Sequence, residues 1–265
     1  MQKFASTLII SVAVSTLGAG SVTVGDQVNN QHATQTAMRG TITVSAASSL
    51  SDSFVAIANS FRKSNPVSKI RLNFGSSASL VAQIQSGAPI DVIAAADLES
   101  IEKLVKSGAV SRGKYPQIFA HNQMAIAVKP GNPLKINSID EMSRASYVAL
   151  CGASVPCGVY AAQVLGKAQV VISESKVTRA VDAKSTLNAV AFGDADAAIV
   201  YLTDVLSAKK FVDRVDISGS QNVKTVYALG AVRSSKNRDL AEAFIRFVLS
   251  SDGQAVLKLF GFAKK

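Results

Sequence analysis

Tryptophan is absent from this sequence, and histidine and cysteine occur only twice each in 265 residues. So few imidazoles and thiols exclude a zinc finger, a histidine-rich metal centre and a multiply bridged disulfide scaffold. Charged residues are sparse, at 17% against 48% hydrophobic, which excludes an intrinsically disordered chain. Beyond the N-terminus no apolar run is long enough to span a bilayer. There is no G-x-x-x-x-G-K-[ST] phosphate loop and no G-x-S-x-G nucleophile setting. Acidic residues are in deficit, 18 against 28 Lys and Arg, for a net charge of +10. Such a balance suits nucleic acid, a membrane surface or a small anion. The basic residues are dispersed, however, and Lys209-Lys210 and Lys264-Lys265 are their longest clusters. No helix-turn-helix, RNP-like or Arg-rich segment accompanies them, so no nucleic-acid partner is expected.

The N-terminus supplies the one targeting signal. Lys3 is a short basic region, Leu8 to Leu17 is apolar, and Gly18, Ala19, Gly20 and Ser21 are small. That order matches a secretory leader over residues 1–25. A membrane anchor is the alternative, disfavoured because the run is short and diluted by Ser, Thr and Gly. No Cys follows, so a lipoprotein anchor has no attachment point. Residues 26–39 are polar and read as a tether. The expected location is outside the cytoplasmic membrane, in the periplasm or on its outer face.

From residue 40 the pattern is α/β. Thr41–Ala47 reads as a strand, and Leu50, Phe54, Ile57, Ala58 and Phe61 recur at helical spacing after it. Ile70, Leu72 and Phe74 alternate as in a strand, and Leu80, Val81 and Ile84 lie on the next helix. Ile90–Ala95 is continuously apolar, as a buried parallel strand requires. Strands are expected at 124–128, 147–150, 176–181, 197–201 and 225–232. Ser138 with Glu141 has capping-box spacing for a short helix. The length suits one large or two modest domains, and so many strands and helices fit two α/β lobes better than one sheet. Each lobe is expected to be a mixed, mainly parallel sheet flanked by helices. The strands near 122–128 and 223–232 are the expected crossings. They put 40–122 with 230–265 in the first lobe and 123–229 in the second.

Three turns share a pattern in which a strand ends, small residues follow and a helix begins. They are Ala47-Ser48-Ser49, Gly75-Ser76-Ser77 and Val155-Pro156-Cys157-Gly158. A helix N-terminus offers unpaired N–H groups and partial positive charge, and serine adds a hydroxyl donor. Each turn by itself is also what an ordinary helix cap looks like. Several converging at the carboxyl ends of strands make an anion site.

The segments TVSAASSLSDSF, NFGSSASLVAQIQSGAPIDVIAAAD, VPCGVYAAQVL and AAIVYLTD resemble, in order and spacing, the periplasmic molybdate-binding proteins of ABC transporters. The resemblance runs from about residue 40 to the GF pair near the C-terminus. It implies a two-lobed, type II periplasmic-binding-protein fold that holds molybdate or tungstate in the cleft between the lobes. It also implies delivery to a membrane ABC permease, with no cofactor, no metal-ion ligand and no enzymatic activity, by a chain expected to be monomeric. By the same resemblance Ser49, Ser77 and Tyr201 are ligand hydroxyls. Cys157 replaces the family's usual Ala and is expected to offer its backbone N–H. Ala183 does the same in a looser stretch where Lys184 or Ser185 is an alternative.

The cysteines depart from the family pattern. Cys151 and Cys157 lie six apart in a chain expected to be exported, which suits a disulfide. Two buried thiols, or a thiolate metal site lacking further ligands, are the alternatives. A lining of hydroxyls and amides would replace the hydration of a buried dianion without a counter-charge. Donors alone suit a fully ionised oxyanion, whereas a protonated one needs an acceptor. Asp182 and Asp204 flank the site and leave an acceptor open. Another oxyanion, such as sulfate or phosphate, is the alternative ligand. Iron is disfavoured, because it would require several Tyr, His or carboxylates. A secreted serine-dependent enzyme is the least favoured reading, since His121 is the one histidine within the folded region.

Overall fold

The computed structural model of the chain describes residues 38–111 and 117–264. The expected leader and nearly all of the expected tether, with His32, lie outside the described residues. No described helix is long and apolar enough to cross a membrane.

The first half alternates strands and helices. These are β1 (Gly40–Ala47), α1 (Ser51–Ser64), β2 (Ser68–Gly75), α2 (Ser77–Gln85), β3 (Val92–Ala95) and α3 (Leu98–Lys106). β2, β1 and β3 are parallel neighbours. β3 is an apolar run and β1 is buried throughout its second half because helices cover both of their faces, whereas β2 at the edge alternates. β4 (Gln117–Val128) then leads to β5 (Val148–Cys151), α4 (Pro156–Ala168), β6 (Val177–Ala180), α5 (Ala183–Ala191), β7 (Ala197–Tyr201), α6 (Leu202–Ser207) and β8 (Asp213–Asp216). β9 (Lys224–Ala231), α7 (Arg238–Leu249) and α8 (Ser251–Leu259) complete the chain.

Strand order is β2-β1-β3-β9-β4-β7-β5-β6, with β8 also beside β4. β4 changes partners along its length. Its first half, Gln117–Gln123, runs antiparallel to β9, and Met124–Val128 runs antiparallel to β7. The result is two lobes joined through one continuous strand. The return crossing lies before β9, which pairs with β3 and with the first half of β4. Residues 224–229, assigned from sequence to the second lobe, therefore pair within the first sheet. At the crossing His121 exchanges backbone hydrogen bonds of 2.9 Å with Ala263, so the C-terminal segment closes over the junction.

The C-terminal helices pack on the first lobe. Phe244 of α7 meets Phe54 and Phe61 of α1 edge-on or tilted, at ring separations of 6.3 and 5.4 Å, and Phe54 meets Phe119 of β4 at 5.9 Å. All four rings are buried, and burying an aromatic side chain contributes about 2–3 kcal/mol.

Local features differ from expectation in several places. A 3-10 turn at Ser48–Leu50 separates β1 from α1. Ser138 makes no side-chain cap; Glu141 accepts from the Asn137 N–H at 2.7 Å instead, and Ile139–Arg144 is 3-10. The polar half of β4, all of β8 and the short α6 were not legible in the sequence pattern.

At Gly158, in the first turn of α4, a Cβ would meet the carbonyl oxygen of Gly152 and lie 3.0 Å from that of Cys151. Both are backbone atoms and cannot swing aside. Gly158→Ala should therefore lower unfolding free energy by about 1–3 kcal/mol, measured by urea unfolding. Wild-type stability in this variant would show that α4 is free to move off β5.

Candidate functional site

All five expected site residues line one pocket. Ser49, Ser77, Cys157, Ala183 and Tyr201 surround it together with Ser48, Ser76, Pro156 and Asp182. Each of the five is at most 8% exposed. About 10 Å³ of free space is open there to the centre of a water molecule, so the pocket is small. A larger hollow of about 260 Å³ adjoins it and shares Pro156, whereas one of about 480 Å³ beside His121 and Lys224 shares none of its lining.

Local chain geometry explains the convergence. The pocket lies at the carboxyl ends of β1, β2, β3 and β7, where the following helices begin. α4 starts with Pro156 at its first position, where the missing N–H costs nothing. α5 is capped by Asp182, whose Oδ1 accepts from Ser185 N–H at 2.8 Å. The backbone N–H groups of Cys157 and Ala183 fall in first helical turns, and neither donates to a backbone carbonyl among the described residues. Cys151 and Cys157 are joined by a disulfide that ties the end of β5 to the start of α4. Closing so short a loop contributes about 2 kcal/mol.

The hydroxyls divide into two kinds. Ser77 Oγ accepts from the Ala96 N–H at 3.0 Å, and Ser49 Oγ lies 2.9 Å from the Tyr227 hydroxyl. Both serines therefore have a protein partner behind them. The Tyr201 hydroxyl is buried with no partner. Burial, reinforced by Tyr227, Tyr160, Asp204 and Asp97, holds its pKa well above the usual phenol range, so it remains a neutral donor. A buried hydroxyl left unpaired costs about 1–3 kcal/mol, and its presence beside other donors marks a place where an acceptor belongs.

No Lys or Arg lines the pocket. Lys184 lies beside it, with Nζ 2.8 Å from Asp52 and 3.1 Å from Ser207 Oγ. That ion pair links α5 to α1 across the lobes and, being partly exposed, contributes at most about 1 kcal/mol. Of the two flanking carboxylates, Asp182 lines the pocket while capping α5. Asp204 is buried in the first turn of α6 next to Tyr201, and neither carboxyl oxygen makes a well-formed hydrogen bond, the Tyr201 backbone N–H being a nearby donor. Tyr227 was not singled out from sequence. It sits in the apolar middle of β9, and nothing in the local pattern separates it from an ordinary core aromatic.

Burial pushes the Asp204 carboxyl up to about 7; Lys184 and the nearby Tyr201 backbone N–H pull it down, while Asp182 and Asp52 push it further up. Between the ordinary aspartate range and about pH 7 the folded chain keeps a proton that the unfolded chain has released. The stability from this group is thus present at low pH and lost as pH rises through about 7. Asp204→Asn cannot ionise, so its melting temperature relative to wild type should climb as pH rises from about 5 to about 8. A difference that stays level across that range would mean that Asp204 is ionised throughout.

The sequence matches the family of bacterial extracellular solute-binding proteins over residues 42–263. It is 33% identical over 224 residues to the molybdate-binding protein ModA of Mycobacterium tuberculosis, covering 84% of each chain. Two solved structures share the fold. The sulfate-binding protein SubI of Mycobacterium tuberculosis superposes with a TM-score of 0.77 at 20% identity, over 85% of this chain and 87% of that one. The periplasmic molybdate-binding protein of Azotobacter vinelandii superposes with a TM-score of 0.74 at 21% identity, over 84% and 99%. With a match spanning both lobes and a relative of this similarity, the chain belongs to the bacterial extracellular solute-binding protein family, within its ModA type.

Proposed function

We propose that this protein captures molybdate or tungstate outside the cytoplasmic membrane and delivers it, as a monomer, to an ABC permease. In this reading Ser49, Ser77 and Tyr201 donate hydroxyl hydrogens to the oxyanion, and Cys157 and Ala183 donate backbone N–H groups. The observation that carries it is the buried, unpartnered Tyr201 hydroxyl in a small pocket shared with Ser49, Ser77 and two helix N-termini. The 33% identity to a molybdate-binding protein supports the choice of oxyanion.

The chemistry is consistent with capture and release. A dianion leaving water loses a large hydration energy. Hydrogen bonds to a charged group contribute about 1.5–3 kcal/mol each net of the water bonds they replace, so a set of five donors favours binding. The donors come from both lobes. Ser49 and Ser77 follow β1 and β2, and Cys157, Ala183 and Tyr201 follow β5, β6 and β7. Anion binding therefore favours the closed arrangement and gives a permease a state to recognise. Sulfate is the second reading, because a lining of neutral donors suits any fully ionised tetrahedral anion.

Calorimetric titration with molybdate, tungstate, sulfate and phosphate tests the proposal. Molybdate and tungstate should bind at one site, each more tightly than sulfate or phosphate. Stronger binding of sulfate would transfer the site to the second reading, and no response to any oxyanion would overturn both. Ser77→Ala and Tyr201→Phe should each weaken molybdate binding by about 10- to 100-fold.

A further inference from the structure

Behind Ser49 lies a buried polar chain that the ligand set does not include. The Tyr227 hydroxyl is 2.9 Å from Ser49 Oγ, and Asn122 Nδ2 is 3.4 Å from the same hydroxyl and 2.9 Å from Thr203 Oγ1. Ser49, Asn122, Thr203 and Tyr227 are all buried. Asn122 comes from the crossing point of β4, Tyr227 from β9 and Ser49 from the 3-10 turn after β1, so the chain runs from the hinge to the pocket.

Its polarity is determined by one group that has no choice. The backbone N–H of Gln123 donates to the Asn122 side chain at 2.9 Å. The atom facing it must be the amide oxygen, so the amide NH₂ faces Thr203 and Tyr227. Asn122 thus donates to the Tyr227 oxygen. Tyr227 has one hydrogen, and its remaining neighbour in the chain is Ser49 Oγ. A serine hydroxyl that accepts from Tyr227 has its own hydrogen left for the pocket. Ser77 is prepared in the same way by the Ala96 N–H. Burial also pushes the Tyr227 pKa well above the usual phenol range, which keeps that hydrogen in place.

We propose that Tyr227, oriented by Asn122, is a positioning residue that commits the Ser49 hydroxyl as a donor and so selects fully ionised oxyanions over protonated ones. The inference rests on the oxyanion reading of the pocket. Without Tyr227, Ser49 is free to turn its lone pairs inwards and accept the proton of a hydrogenphosphate. With Tyr227 one of the two Ser49 lone pairs is occupied, and turning the other inwards would leave the Ser49 hydrogen without an acceptor among the described residues. Tyr227→Phe keeps the ring and its edge-on packing with Phe119, Tyr201 and Phe262.

The test is a double-mutant cycle. Wild type, Ser49→Ala, Tyr227→Phe and the double variant are titrated with molybdate and with hydrogenphosphate at neutral pH. Tyr227→Phe should weaken molybdate binding by about 3- to 10-fold and lower the preference for molybdate over hydrogenphosphate. In the Ser49→Ala background the same substitution should cost nothing further. Wild-type affinity in Tyr227→Phe, additive losses, or unchanged selectivity would overturn the inference while leaving the oxyanion reading intact. Failure of the wild type to bind either anion would overturn both. Thermal melting without ligand checks the fold. If Tyr227→Phe does not fold, Asn122→Ala takes its place in the cycle, with a smaller loss expected in the same direction and with the same coupling to Ser49.

Discussion

Strand β4 pairs with β9 through Gln123 and with β7 from Met124 onward, and this exchange of neighbours underlies the rest of the structure. It splits what would be one long sheet into two, each with parallel strands whose carboxyl ends face the same gap. Because helices follow those strands, their N-termini meet there. Ser49, Ser77, Cys157 and Ala183 are then within one small pocket although they are spread over 135 residues of sequence, from Ser49 to Ala183. The same crossing supplies Asn122, so the hinge and the pocket belong to one connected piece of structure.

The net charge of +10 contributes little to this chemistry. The pocket has no lysine or arginine in its lining, and the nearest lysine is occupied by Asp52 and Ser207. Neutral donors have an advantage that a cation lacks. In the proposed reading they are held in fixed directions by backbone and by partners such as Ala96 N–H and Tyr227, and would discriminate by geometry and by proton count. A lysine would attract any anion as a point charge. The dispersed positive surface adds at most a salt-dependent attraction for anions approaching the cleft.

Much of the architecture was legible because buried strands here are short apolar runs. VIAA in β3 and AAIVY in β7 are buried at every position, and such runs announce themselves. The polar half of β4, QIFAHNQ, did not, because its pairing with β9 depends on a partner about a hundred residues away. β8, with the sequence DRVD, owes its strand geometry entirely to β4. The serine turns were visible as candidate anion donors, since strand, small residues and helix follow directly on one another. Asp204 was noted as a flanking carboxylate, but its lack of a well-formed hydrogen bond is a property of packing.

By itself the sequence determined the α/β class, the dispersed charge, the scarcity of metal-ligating side chains and the serine-bearing turns, all of which depend on residues near one another in the chain. It also carried the family resemblance, through motifs that are local. Tertiary structure decided which turns meet, that Tyr201 is left without a partner, and that Tyr227 and Asn122 stand behind Ser49. Those facts depend on the direction of hydrogen bonds between strands far apart in sequence, and no local pattern encodes them.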